Sequence, residues 1–109
     1  MDSLLQKIQL CYRSDSVFFT RHALDEMKHE ELGRICEAEI SECIDRGQII
    51  KEYPEDTPYP SYLIFGRTAS NRPIHVVCAY DGDEDKVIIV TAYEPDPGLW
   101  IEFKRRIRE

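Results

Sequence analysis

The chain has 109 residues, 42% hydrophobic and 32% charged, which suits one globular domain over residues 1–109 and excludes extended disorder. Its formal charge is −7, which argues against generic nucleic-acid binding by phosphate neutralisation but leaves room for a local basic site. No apolar run reaches membrane-spanning length, the first residues do not read as a signal peptide, and Cys11, Cys36, Cys43 and Cys78 form no C-x-x-C pair, so buried thiols in a reducing cytoplasm are expected.

In chain order, the first helix is predicted from about Ser3 to Tyr12. Leu4, Leu5, Ile8 and Cys11 or Tyr12 share one apolar face there, with Asp2 or Ser3 as the cap. Val17-Phe18-Phe19-Thr20 reads as a short extended entry, and Thr20 caps a second helix from His22 to about Leu32. That helix turns Ala23, Leu24 and Met27 inward, and Gly33 is its natural stop. A third helix spans about Glu37 to Arg46, with Ile40, Cys43 and Ile44 inward. Cys36 is a poor cap, so a loose start is expected.

From Gln48 the period changes from helical to alternating. Strands are predicted at Gln48–Tyr53, Ser61–Thr68, Ile74–Tyr80 and Val87–Tyr93, separated by runs rich in Pro, Gly, Asn and Asp. The connections are too short for crossover helices, so the strands form an antiparallel meander. After Asp96-Pro97-Gly98, the stripe of Trp100, Phe103 and Ile107 has helical spacing and predicts a final helix. The expected fold class is α+β, with N-terminal helices packed on a four-stranded antiparallel sheet and a C-terminal helix.

Alternation sorts the side chains of each strand onto two faces. Leu63, Phe65 and Arg67 form one set; His75, Val77 and Ala79 form another; Val87, Ile89, Thr91 and Tyr93 form a third. If these sets share a face, one end of it gathers Arg67, His75, Thr91 and Tyr93; the plain alternative is a set of solvated strand ends. His22 is a further candidate, because the first turn of a helix favours anions nearby and disfavours an imidazolium. No H-x-x-x-H or H-E-x-x-H spacing occurs, so no metal is expected, and no cofactor. Lys104, Arg105, Arg106 and Arg108 suit the end of a helix and also offer a phosphate-contacting edge.

Four blocks carry a resemblance: residues 19–27 (Phe19 to Met27), 47–54 (Gly47 to Pro54), 72–77 (Arg72 to Val77) and 90–97 (Val90 to Pro97). In this order they resemble domain-of-unknown-function family 4258, small bacterial and archaeal domains similar to RelE/MqsR-like toxin domains. The resemblance implies a RelE-like architecture and a metal-independent endoribonuclease of a toxin–antitoxin system, cleaving RNA by 2′-hydroxyl attack on the phosphate. It also implies RNA or the ribosome as target and a small zinc-finger antitoxin as partner. On that reading His22 and His75 supply base and acid, Arg67 clamps the phosphate, and Tyr93 positions it or donates a proton. Arg21, Arg72, Lys104 and Arg105 are then further RNA contacts. The alternative is a non-catalytic interaction domain that pairs with a zinc-finger partner or with itself, which the acidic charge favours.

Overall fold

The computed structural model describes residues 3–107. Asp2, the alternative cap, and Arg108 lie outside them. The first helix, α1 (Leu4–Arg13), begins with a reciprocal cap: Ser3 Oγ accepts from Gln6 N–H at 3.1 Å, and Gln6 Oε1 accepts from Ser3 N–H at 2.8 Å. Strand β1 (Val17–Phe19) follows, and Thr20 Oγ1 caps α2 (Arg21–Lys28) by accepting from Ala23 N–H at 3.0 Å.

Helix α2 stops at Lys28, one turn short of the expected Leu32. Ile35 explains why. It is 1% exposed, and its N–H bonds back to Met27 O at 2.9 Å. Bringing Ile35 into the core requires a reversal after α2, and Gly33 supplies it at φ 121°, a conformation side chains resist. Leu24, expected inside, is 42% exposed, whereas Ala23 and Met27 are buried.

Helix α3 (Glu37–Arg46) buries Ile40, Cys43 and Ile44 as its pattern requires. Its start is not loose: Glu39 Oε1 accepts the Cys36 N–H at 3.0 Å and the same carboxylate pairs with Arg72. Helix α3 lies so close to the sheet that a Cβ on Gly66 would meet Cys43 O at 2.1 Å.

The strands β2 (Gln48–Tyr53), β3 (Ser61–Arg67), β4 (Pro73–Asp81) and β5 (Lys86–Tyr93) form the antiparallel meander. The sheet is nevertheless five-stranded and mixed, in the order β1-β5-β4-β3-β2, because β1 pairs in parallel with β5 from Val17↔Val87 to Phe19↔Ile89. A three-residue strand paired across about seventy positions leaves no periodic signal in sequence. The helices cover one face, where Ile8, Ile40 and Ile44 meet Ile64, Ile74, Val76 and Ile89, all fully buried. Each such side chain contributes about 2–3 kcal/mol.

The expected C-terminal helix is replaced by a hairpin of β6 (Trp100–Ile101) and β7 (Arg105–Arg106). Glu102 and Phe103 have φ of 53° and 61°, and Lys104 N–H closes the turn on Ile101 O at 3.0 Å. Two successive positive φ angles twist a hairpin in the sense its strands need. The stripe that suggested a helix is used otherwise: Trp100 and Phe103 drop onto the sheet face that the helices leave open.

Candidate functional site

The open face owes its composition to two β-bulges. In β2, Ile49 pairs with Ile64 but Lys51 pairs with Leu63, so Ile50 is an extra residue. In β5, Ile89 pairs with Cys78 but Thr91 pairs with Val77, so Val90 is extra. Each insertion reverses the alternation beyond it. Ile49, Val87 and Ile89 therefore point to the helices, while Lys51, Tyr53 and Tyr93 join Leu63, Phe65, Arg67 and His75 on the open side. The single set Val87, Ile89, Thr91 and Tyr93 expected from unbroken alternation is thus divided between the faces.

His75 lies beneath the hairpin with no exposed surface. Its Nε2 is 2.6 Å from Phe103 O, and its Nδ1 is 3.2 Å from Tyr93 Oη. A carbonyl only accepts, so Nε2 carries the proton and Nδ1 accepts from the phenol. The Trp100 ring stands edge-on at 4.4 Å, with Tyr93 at 5.3 Å and Phe65 at 5.9 Å. Burial lowers the pKa of His75 against the opposing pull of the Phe103 bond, so the ring is neutral. Burial likewise pushes the Tyr93 phenol up to about 12. Arg67 joins this cluster through stacking on Phe103 and Phe65, with its carbon at 5.4 and 5.8 Å from the ring centres.

Beside the cluster is a cavity of about 400 Å³ walled by Lys51, Lys104, Arg105 and Arg106, with Leu63 and Trp100 among its apolar residues. Among the described residues, no carboxylate lines it. In a chain of charge −7, four cations around one concavity concentrate positive potential where backbone and ring surfaces are also available. Arg106 stacks on Trp100 at 5.6 Å, which fixes the orientation of one of them.

The remaining candidates lie elsewhere. His22 is on the solvent side of α2, its ring 69% exposed and its Nε2 3.7 Å from Glu26 Oε2. Glu26 in turn accepts from Thr91 Oγ1 and, at 3.0 Å, from Ala92 N–H. This continues the edge of β5 where β1 ends; Glu30 does the same for Glu94 N–H at 3.2 Å. Arg21 is exposed on α2. Arg72 is engaged within the fold: it pairs with Glu94 at 2.6 Å and Glu39 at 3.1 Å, and donates to the carbonyls of Gly33 and Arg34. It ties the loop before α3 to the end of β5.

The structure therefore groups Arg67, His75 and Tyr93, adds Lys104 and Arg105 nearby, and sets His22, Arg21 and Arg72 apart. Sequence reasoning missed Lys51, whose face depends on the bulge at Ile50, and Glu26, whose spacing four residues after His22 was a readable signal. Among the described residues, no three His, Cys, Asp or Glu side chains are arranged to hold a metal ion.

Neither the curated proteins nor the solved structures gave a significant match to the chain. A family model matches from Phe19 to Glu94, taking in all five strands of the main sheet, with β1 touched only at Phe19, and stopping ahead of the hairpin. With residues 19–94 matched, the chain belongs to the family described as Domain of unknown function (DUF4258).

Proposed function

We propose that the chain is a metal-independent endoribonuclease of the toxin type, akin to RelE/MqsR-like domains, that takes single-stranded RNA across the open face of its sheet. The observation that carries this reading is the cavity walled by the four cations Lys51, Lys104, Arg105 and Arg106 on an otherwise acidic protein. In the reaction, O2′ bonds to phosphorus, the bond from phosphorus to O5′ breaks, and a 2′,3′-cyclic phosphate remains. The 2′-hydroxyl proton passes to a base and O5′ takes up a proton. Fixed cations stabilise the extra negative charge of the phosphorane. On this reading Arg67 and Arg106 take that task, Tyr93 positions the strand, and His75 holds Tyr93. Proton transfer falls to water, since His22 stands on the solvent side of α2, apart from the cations.

The test is induced expression in a bacterial host of the wild type, Arg67→Ala, and Lys104→Glu with Arg105→Glu. Growth arrest with RNA fragments ending in cyclic phosphate is expected from the wild type alone. Normal growth and intact RNA alongside soluble, folded wild-type protein would reject cleavage. That outcome favours a non-catalytic domain that pairs with a small zinc-finger protein or with itself. Leu99, Ile101 and Ile107, 47%, 39% and 50% exposed on and beside the hairpin, support that second reading.

A further inference from the structure

A second cavity opens on the same sheet face. It measures about 380 Å³, within the range of small-ligand sites, and its walls include Pro58, Tyr59, Val77, Ala79, Ile88 and Val90. It adjoins the cationic cavity directly, since Leu63 in the first is the cross-strand partner of Val77 in the second. A strand whose phosphates rest on the cations therefore has an apolar slot one strand away, with volume for a flat ring. Asp56 also lines the slot, and its carboxylate accepts from Ser61 Oγ.

A carboxylate is an acceptor with two oxygens and lone pairs to spare. It repels phosphate, so it turns the base and not the backbone of a bound strand towards itself. Of the standard bases, guanine alone presents two adjacent donors, N1–H and N2–H, on its pairing edge. Adenine and cytosine set an acceptor beside their amino group, and uracil flanks its one donor with two carbonyls. Both arrangements oppose a carboxylate.

We propose that this slot is a specificity pocket for an unpaired guanine, read by Asp56, in the RNA strand held by Lys51, Lys104, Arg105 and Arg106. The inference rests on the RNA reading above and adds a base preference to it. The probes are short 2′-deoxy oligothymidylates carrying one central guanine, hypoxanthine or adenine; lacking the 2′-hydroxyl, they bind without being cut. By fluorescence anisotropy the guanine probe should bind about tenfold more tightly than the other two, hypoxanthine failing because it lacks the N2 amine. Asp56→Asn, at an exposed loop position, should bring the guanine probe down to the affinity of the adenine probe.

Equal binding of all three probes, lost on Lys104→Glu with Arg105→Glu, would overturn the pocket and leave the RNA reading standing. No binding of any probe by folded wild-type protein would overturn both. Displacement of the guanine probe by an acidic peptide with one aromatic residue, without any base preference, would assign the slot to a protein partner instead.

Discussion

His75 is held by two bonds of opposite polarity, one given to Phe103 O and one taken from Tyr93. Both are satisfied only while the ring is neutral. The unfolded chain takes up a proton as pH falls through the ordinary value of 6.5, whereas the folded chain, with its lowered pKa, does not until a more acidic pH. Stability is therefore level above that value and falls between the two pKa values. Denaturant titrations from about pH 8 to about pH 5 should show this decline in the wild type and a smaller one in His75→Gln. His75→Ala should cost about 3 kcal/mol at neutral pH, from two lost bonds and an unfilled space.

Arg72 is the second residue whose loss should be felt far from any ligand. Its guanidinium bridges Glu39, Glu94 and two loop carbonyls, a forked geometry that an ammonium does not reproduce. Arg72→Lys should lower stability by about 2 kcal/mol and loosen residues 30–36 in hydrogen exchange. Burial raises the pKa of Glu39, but the Cys36 N–H and Arg72 outweigh it and hold the carboxylate below its ordinary 4.5. The stabilisation from this pair is present above that value and lost as the pH falls through the lowered one.

At the scale of elements, the bulges decide which residues the open face displays. Deleting Val90 removes the bulge and leaves Thr91 opposite Val77 and Tyr93 opposite His75, each on the face it already occupies. The deletion should therefore cost no more than about 2 kcal/mol, and Val90→Ala, which keeps the bulge, about 1 kcal/mol; thermal melts of the two variants separate the bulge from its side chain. Local pattern was enough for the helices and the meander: Glu37–Arg46 and Gln48–Tyr53 stand where period and caps put them. Features set by distant contacts were not legible. The parallel pairing of β1, the early end of α2 imposed by Ile35, and the hairpin at Trp100 each answer to residues remote in sequence. The same holds for the site. Arg67, His75 and Tyr93 were gathered correctly on an alternation that β5 does not follow, because the bulge reverses the face of Tyr93 at the same step that buries Ile89.

At the scale of the whole molecule, charge is segregated. The cationic cavity has its counterpart in Glu30, Glu31, Glu94 and Asp96, which gather around another concavity walled by Leu32 and Pro97. If four phosphates meet Lys51, Lys104, Arg105 and Arg106, the logarithm of affinity should fall with that of salt concentration at a slope of about −3. Filter binding across salt concentrations measures it, and a slope near zero would remove the cations from the interface. At about 0.01 M salt, however, where the Debye length is about 30 Å, an approaching strand meets the net charge of −7 as well as the local patch. Salt should then quicken capture while weakening the captured state, so association and dissociation rates both rise with ionic strength, the second more steeply. On the proposed reading, a protein arranged in this way is a poor scavenger of free polyanions and acts on strands already delivered to its surface.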